Sequence, residues 1–484
     1  MSTTLTYKEE KEAWVSNCTG GSLFEVNFIA SSCVVSHVLW LALVKSKMIN
    51  VDTFTAQFLI YVIPAILIQT ILADQVIQVL LGMLCLALNV IYRSENYREI
   101  TSLQQRLDHS MVAKEKKKED KKSSSSSSSS SLSSYKTYLT VYRAATMILT
   151  CIAILAVDFP VFPRRFAKVE TFGTSLMDVG VGSFVFSSGV VASRAYSQQN
   201  AQQTLLHRMT NACRSCLPLL LLGGIRLLLT RSVDYQLHNS EYGLHWNFFM
   251  TLGLLPPFVT LITSLKNKVP FSYLGWGIVI GYQYLLHQQG LQTWVLEAPR
   301  VDLLSANKEG ICSFMGYLAI FLFGLDVGCA VFDLSPSKQL PIISSSSSSS
   351  VAIQLTVKSI LYWIIFGTWL FFTQNDSSSQ VSRRLANLPY VIWVISFNLT
   401  LLTLLIWVEQ WMNVKNKGPQ LLNDINLNGL ATFLLANLMT GAVNLMMKTL
   451  YASSLTSMMI LCIYMMVTSI IPWLLRIYQI RIKL

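Results

Sequence analysis

The residues best suited to chemistry lie in one stretch, AVDFPVFPRRFAKVETFGTSLMDVGVGSF, which directly follows an apolar segment. Asp158 opens this stretch, and its two early prolines break the helix and favour a stiff, extended turn. Such a turn can bring Arg164, Arg165 and Lys168 back toward Asp158. A positioned carboxylate beside a cation can take a proton from a hydroxyl, and guanidinium groups suit a phosphate diester. The alternative is an interfacial turn closed by salt bridges, with its basic residues near lipid headgroups.

Three further segments carry polar side chains just before an apolar span. EYGLHWNFF places His245 near a carboxylate, where it could act as an acid or base, although a His–Trp pair is also typical of an aromatic membrane anchor. In SANKEGICSFMGY, Asn307 is either a contact to a polar substrate or a helix N-cap. QVSRRLANLPY provides Arg383 and Arg384, which repeat the arginine pair of the first stretch. Like His245 and Asn307, both arginines are predicted to bind substrate.

Small and polar residues also occur inside the apolar segments. Asn437 and Asn444 lie within or near a late apolar helix, where they either bind neighbouring helices or line a head-group pocket. A second set predicts a face for close helix packing and consists of Gly182, Ser183, Ser187, Ser188 and Gly189.

Membrane helices must position these side chains, because the chain is far more apolar than a soluble protein. Of its 484 residues, 52% are hydrophobic and 13% are charged, whereas soluble proteins average about 25% charged residues. Windows of roughly 20 residues predict an all-α polytopic membrane protein with about 13 transmembrane helices. The predicted spans lie near residues 23–44, 53–73, 75–93, 138–157, 176–193, 213–230, 247–265, 271–287, 309–330, 353–373, 389–408, 430–447 and 455–475.

The charged loops predict how the chain is oriented. Residues 94–136 contain KEKKKEDKK and then nine serines, Ser123–Ser131, a basic low-complexity composition that predicts a cytosolic loop without a packed core. Counting spans from this loop places the Asp158 stretch and the N-terminus on the opposite side, and the C-terminus in the cytosol. The formal net charge of +12 therefore reflects membrane orientation, and no nucleic-acid partner is expected.

The same count divides the chain into four parts. Residues 1–22 form a lumenal N-terminus, residues 23–93 hold transmembrane helices 1–3, and the loop 94–136 follows. Residues 137–484 form a transmembrane catalytic core with a Ser-rich cytosolic loop near 331–352. The sequons at Asn17 and Asn375 fall on the non-cytosolic face, as glycosylation in the secretory pathway requires.

The usual signatures of soluble enzymes are missing from the sequence. It contains no P-loop, no GxSxG elbow, no HExxH and no GxGxxG motif. No metal cluster stands out, so neither a metal nor a resident cofactor is expected.

The motif AILAVDFPVFPRRFAKVETFGTSLMDVGVGSFVFSSGVV resembles the signature of one family, the inositol acyltransferases of glycosylphosphatidylinositol (GPI) anchor biosynthesis. The segments EYGLHWNFF, SANKEGICSFMGY, QVSRRLANLPYVIWVISFN and NGLATFLLAN…TGAVN resemble further blocks of that family, in the expected order. The resemblance extends from about Leu23 to Leu484 and is closest to fungal members.

The resemblance implies a multi-pass enzyme of the endoplasmic reticulum. It implies that a fatty acyl chain, typically palmitoyl, passes from acyl-CoA as co-substrate to the inositol 2-hydroxyl of glucosaminyl-phosphatidylinositol. In the family the Asp and Lys of DFPxFPRRFAK are the expected catalytic pair, which are Asp158 and Lys168 here. Asp158 is expected to take the inositol proton, and Lys168 either to stabilise the oxyanion or to hold Asp158 ionised. With these roles to fill, Arg164 and Arg165 are expected to bind the lipid phosphodiester, with His245 as a reserve base. Direct transfer requires no acyl-enzyme.

Other functions fit parts of the sequence. A lipid transporter or flippase would suit the many spans, but the two matching halves expected of one are not visible. A non-catalytic subunit of an endoplasmic-reticulum complex and an acyltransferase for another membrane polyol are the remaining alternatives. Acyl-CoA is made in the cytosol, so it must reach a lumenal motif through a cavity between helices, or the motif must fold into the membrane.

Overall fold

The computed structural model describes residues 6–47, 50–112, 136–197, 204–232, 239–264, 269–332, 348–374, 376, 379–413 and 418–480. Within these ranges every regular element is a helix, which confirms the all-α prediction. The α-helices are α1 (Tyr7–Val15), α2 (Leu23–Ser46), α3 (Phe54–Gln69), α4 (Val76–Val112), α5 (Thr137–Ala156), α6 (Leu176–Ser197), α7 (Leu205–Ser232), α8 (Asn239–Tyr242), α9 (Phe248–Ser264), α10 (Phe271–Gln288), α11 (Leu291–Glu297), α12 (Leu303–Ala306), α13 (Lys308–Val331), α14 (Ser348–Thr373), α15 (Leu388–Met412), α16 (Gln420–Leu427), α17 (Gly429–Met446) and α18 (Ser454–Ile477). Short 3₁₀ turns cover Ala73–Gln75, Arg164–Phe166 and Thr449–Tyr451.

A helix lies over each of the 13 predicted spans. Ten of the described helices are long and apolar enough to cross a bilayer by length and composition. Two further apolar helices, Phe54–Gln69 and Phe248–Thr263, are shorter, and α10 lies over the remaining span. The protein is therefore a multi-pass α-helical membrane protein, and the count of 13 crossings stays a prediction.

The helices form an inner and an outer set. Most of α2, α5, α13 and α15 is buried, and these helices carry fully buried aromatic side chains such as Trp40, Tyr142 and Trp393. The outer helices α4, α7 and α14 expose large apolar residues, for example Leu81 and Phe371. Lipid tails solvate such residues, and each helix bonds its own backbone, as spanning a membrane requires.

Glycines permit a close contact between α6 and α13. A Cβ on Gly189 would lie 2.3 Å from the carbonyl oxygen of Phe321, and one on Gly324 would lie 2.4 Å from that of Phe186. On α6, a Cβ on Gly182 would lie 2.6 Å from a methyl group of Val394. The predicted small-residue packing face is therefore confirmed at Gly182 and Gly189.

Three loop boundaries differ from the sequence-based expectation. The N-terminal segment contains a helix, α1, which a reciprocal capping box between Thr6 and Glu9 begins. Helix α4 continues to Val112, so the predicted loop 94–136 starts as a helix, and residues 113–135 lie outside the described residues. Helix α14 begins at Ser348, so the second serine-rich segment ends as a helical turn, while residues 333–347 lie outside the described residues. A run of serines predicts a helix boundary poorly, because the serine hydroxyl competes for backbone hydrogen bonds in both helix and loop.

Loops that the charge count placed on one face meet at one end of the bundle. Asp74, which follows α3, contacts Arg165, which follows α5. Lys168 of the same loop contacts Glu241, which precedes α9. These contacts place the candidate residues together, and the side of the membrane on which this end lies stays a prediction.

Candidate active site

Aromatic side chains anchor the loop that carries the candidate catalytic motif. Helix α5 ends at Ala156, and two prolines follow shortly afterwards, which cannot donate the bonds of a continuing helix. The loop is fixed instead by Phe159, Phe162 and Phe166, whose exposure is 2% or less. Asp158 lies between the helix end and these anchors, so its backbone has a defined position.

The Asp158 carboxylate is buried and bound on both oxygens. Its Oδ2 accepts a hydrogen bond from Nδ2 of Asn444 at 2.7 Å. Its Oδ1 lies 3.1 Å from Nζ of Lys11, which belongs to α1. The whole residue is 7% exposed. Asp158 is thus a positioned carboxylate beside a cation, as the sequence predicts, but the cation comes from the N-terminal helix.

Lys168 takes a different carboxylate as its partner. Its Nζ lies 2.7 Å from Oε1 of Glu241, and its side chain is 37% exposed. The expected catalytic pair therefore forms two separate ion pairs, Lys168 with Glu241 and Asp158 with Lys11. The sequence predicts a turn that brings the basic residues of the motif back to Asp158. In the structure these cations instead bind carboxylates and carbonyl oxygens on other elements.

Arg165 lies between two carboxylates. Its Nε donates to Glu25 at 2.8 Å, and its Nη2 donates to Asp74 at 2.5 Å. Partial burial opposes the charged form, but these two hydrogen-bonded carboxylates raise the pKa of Arg165. A guanidinium already neutralised in this way is a weaker ligand for a phosphate than an unneutralised one.

Arg164 is exposed and better placed to bind an anion. Its Nη2 donates to the carbonyl of Ser16 at 2.6 Å, and its guanidinium carbon lies 5.4 Å from the ring centre of Trp14. In the described part of the chain no carboxylate pairs with it. Arg164 and Arg165 line one wall of an open pocket of about 350 Å³, and residues 16–20 line another. Of the two arginines predicted to bind the lipid phosphodiester, the geometry favours Arg164.

Arg383 is committed to a buried ion pair. Its Nε donates to Oδ1 of Asp178 at 2.7 Å, and its Nη2 lies 3.8 Å from Oε1 of Glu241. The side chain is 3% exposed. Burial alone would lower the pKa of Arg383, but Glu241 and Asp178 raise it well above its ordinary value, so the guanidinium stays charged. Arg383 therefore joins the loop before α15 to helix α6, and its contact with substrate stays a prediction.

Arg384 belongs to a neighbouring cluster around Glu309. The Glu309 side chain is fully buried at the start of α13. Its Oε1 lies 2.6 Å from Nη2 of Arg300 and 3.0 Å from Nη2 of Arg384. The two arginines of this predicted pair thus bind different carboxylates, Arg383 that of Asp178 and Arg384 that of Glu309. Each arginine holds the end of a different helix.

Asn307 fixes the backbone of the loop that carries His245. Its Oδ1 accepts from the N–H of His245 at 2.8 Å and from that of Trp246 at 3.0 Å. Asn307 is the N-cap residue of α13, as one of its two interpretations predicts, but its side chain makes no capping bond to that helix. His245 Nδ1 lies 3.4 Å from Nδ2 of Asn307, and the role of His245 as a reserve base stays a prediction.

The two predicted glycosylation sites are Asn17 and Asn375. Asn17 is exposed, as a glycan acceptor must be, and it lines the pocket beside Arg164. Asn375 lies outside the described residues. Glycosylation at both positions stays a prediction.

Sequence reasoning missed one member of the site and left another open. Lys11 is not among the sequence-based candidates because it lies outside the conspicuous motifs, although the spacing of Tyr7, Lys11 and Trp14 predicts one face of a helix. For Asn444 the sequence allows either helix packing or a polar pocket, and the structure places it against Asp158.

Known proteins of one family match this chain over nearly its whole length. The family model described as GWT1 matches residues 7–475. The chain is 38% identical to GPI-anchored wall transfer protein 1 of Gibberella zeae, with 100% of both chains covered. It is 38% identical to the protein of that name in Yarrowia lipolytica, over 98% of both chains. For the Saccharomyces cerevisiae protein of that name, identity is 36%, over 99% of this chain and 100% of the relative.

The family match includes α1 as well as the loop after α5, so Lys11 and Asp158 both lie inside the shared region. The resemblance drawn from the DFPxFPRRFAK motif and the later blocks is confirmed at the level of the family. With a family model matched over nearly its whole length, this chain belongs to the GWT1 family.

Proposed function

We propose that this protein is an acyl-CoA-dependent O-acyltransferase of GPI-anchor biosynthesis. It transfers a palmitoyl chain to the inositol 2-hydroxyl of glucosaminyl-phosphatidylinositol in the endoplasmic-reticulum membrane, with its N-terminus lumenal and its C-terminus cytosolic. The relatives are named GPI-anchored wall transfer protein 1, which supports a GPI intermediate and membrane lipids as partners. The observation that carries the chemistry is the buried Asp158 carboxylate, bound on both oxygens where a membrane helix ends.

In the proposed reaction Asp158 is the general base. It takes the proton of the inositol hydroxyl, and the hydroxyl oxygen forms an ester bond to the acyl carbonyl carbon. The carbon–sulfur bond to CoA breaks, and the proton leaves on the CoA thiol. Each carboxylate oxygen has a second acceptor site beyond its bond to Asn444 or Lys11, so an incoming hydroxyl can still bind.

The proposed role of Lys168 is to stabilise negative charge on the acyl carbonyl oxygen. Because Lys11 already pairs with Asp158, the oxyanion role is the one proposed for Lys168, whose partly exposed side chain must turn from Glu241 toward the acyl oxygen to perform it. Arg164 is the proposed ligand of the lipid phosphodiester, since it is exposed in the pocket and its charge is not neutralised by a carboxylate in the described residues.

The test uses the purified full-length chain in detergent, with labelled palmitoyl-CoA and glucosaminyl-phosphatidylinositol. Wild type is compared with Asp158→Asn and Lys168→Met, and Asp52→Asn is the control. Asp52 is an exposed carboxylate at the other end of the bundle, so its replacement removes the same charge without touching the site. Loss of one general base typically lowers the rate by about 10²–10⁴-fold.

Acylated lipid from the wild type and the control, with loss in both site variants at an unchanged melting temperature, supports the proposal. Near-normal transfer by Asp158→Asn contradicts the role of this carboxylate. Absence of transfer by the folded wild type, with lipid moved between leaflets of vesicles instead, contradicts the acyltransferase function and favours a transporter.

A further inference from the structure

Helix α1 docks on the bundle through a single face. Tyr7, Lys11 and Trp14 lie one or two turns apart and are partly buried, whereas Glu9 and Glu12 on the other face are exposed. This spacing is that of an amphipathic helix, although the docked face carries polar contacts. The helix precedes the first candidate membrane span and lies at the same end of the bundle as Asp158.

Lys11 closes a ring of three polar side chains. Its Nζ donates to Oδ1 of Asn444 at 2.7 Å and lies 3.1 Å from Oδ1 of Asp158. Asn444 in turn donates from its Nδ2 to Oδ2 of Asp158 at 2.7 Å. The Lys11 and Asp158 side chains are only 15% and 10% exposed, so water screens their attraction weakly.

Contacts at both ends of α1 hold Lys11 at this position. The hydroxyl of Tyr7 lies 3.3 Å from Oγ1 of Thr449, which donates to Oδ1 of Asn444 at 3.4 Å. Near the other end of the helix, the Trp14 ring lies under the guanidinium of Arg164. Helix α1 is thus tied to the turn after α17, the helix whose Asn444 binds Asp158. It is also tied to the loop after α5, which carries Asp158 itself.

We propose that Lys11 is a positioning residue for the acyl-transfer reaction, acting through Asp158. Together with Asn444 it holds both carboxylate oxygens, so the carboxylate cannot rotate about its terminal bond and presents one orientation to the substrate hydroxyl. This inference rests on the proposed function, in which Asp158 is the general base. A misplacement of about 1 Å at such a group can lower a rate by about 10²-fold.

The alternative is that Lys11 only fastens α1 to the bundle. The two roles are separated by comparing Lys11→Met with Trp14→Ala. The first variant removes the ammonium that holds Asp158, and the second loosens α1 while leaving Lys11 in the chain. Lys11→Arg restores a cation, and Glu12→Gln changes a charge on the exposed face of the same helix.

The experiment measures kcat and KM for both substrates, and the melting temperature, for the full-length chain and these four variants. We expect Lys11→Met to lower kcat by about 10- to 100-fold with unchanged KM values. Lys11→Arg should recover part of that loss, and Trp14→Ala should lose less than Lys11→Met. Glu12→Gln should match the wild type.

Three results would overturn the inference. Lys11→Met could retain the wild-type kcat, it could change only KM for the lipid, or Trp14→Ala could lose as much kcat as Lys11→Met. In each of these three results the wild-type protein still makes acylated lipid. Failure of the proposed function is a separate result, because then the folded wild type itself makes no acylated lipid.

Discussion

Asp178 and Arg383 are 205 residues apart in the chain, yet Nε of Arg383 donates to Oδ1 of Asp178 at 2.7 Å. The Asp178 side chain is fully buried, and its Oδ2 also accepts from the hydroxyl of Ser175 at 2.7 Å. The N–H of Val169 donates to the same oxygen at 3.1 Å. This carboxylate therefore ties the Asp158 loop, helix α6 and the loop before α15 into one unit.

The first prediction concerns the stability of that unit. Arg383→Met leaves the Asp178 carboxylate buried without its cation, and breaking such a pair costs about 3–5 kcal/mol. The double variant Asp178→Asn with Arg383→Met should recover part of this loss. Thermal unfolding in detergent measures both, with the exposed Arg164→Met as the control for losing a guanidinium. Equal stability of Arg383→Met and Arg164→Met would contradict the prediction.

The two arginines of the motif should respond differently to replacement. Arg164→Met should raise KM for the lipid acceptor and reduce the salt dependence of KM, because its charge faces the pocket. Arg165→Met should act mainly on stability, because it leaves Glu25 and Asp74 without their shared cation. Lipid titrations at two salt concentrations check this, and the reverse assignment of effects would show that Arg165 is the phosphate ligand.

Asn307 should matter for the shape of the loop before α9. Asn307→Ala removes the acceptor of two consecutive N–H groups, those of His245 and Trp246, and a buried unsatisfied donor costs about 1–3 kcal/mol. Asn307→Asp keeps the acceptor oxygen but loses the Nδ2 donor to the Leu303 carbonyl, as Asn307→Ala does, so the difference between the two variants reports the bonds to the two N–H groups. A comparison of melting temperatures tests the prediction, which fails if both variants unfold at the same temperature.

The contact between α6 and α13 should tolerate no added methyl group. Gly324→Ala puts a Cβ within 2.4 Å of the Phe186 carbonyl oxygen, and overpacking of this kind costs about 1–3 kcal/mol. Gly367→Ala is the matched control, since a Cβ there meets nothing within 4 Å. The control should be neutral or slightly more stable because alanine favours a helix. Similar melting temperatures for the two variants would contradict the close approach.

Much of the fold could be predicted from the sequence. The helices over the predicted spans follow from runs of apolar residues, because a hydrocarbon layer of about 30 Å sets the length of any helix that crosses it. The Asp158 motif was visible for the same local reason, since charges and prolines contrast with the apolar segment before them. The glycines of α6 likewise predict a face for close helix packing.

Only the tertiary structure decided which charges are partners. Asp158 binds Asn444, 286 residues away, and Lys168 binds Glu241, 73 residues away, although Asp158 and Lys168 share one motif. The partner of a charge depends on which helix ends meet in space, and the bundle topology sets this over hundreds of residues. Hydropathy and spacing are local properties, so they located the acid and the cations and left their pairing to the fold.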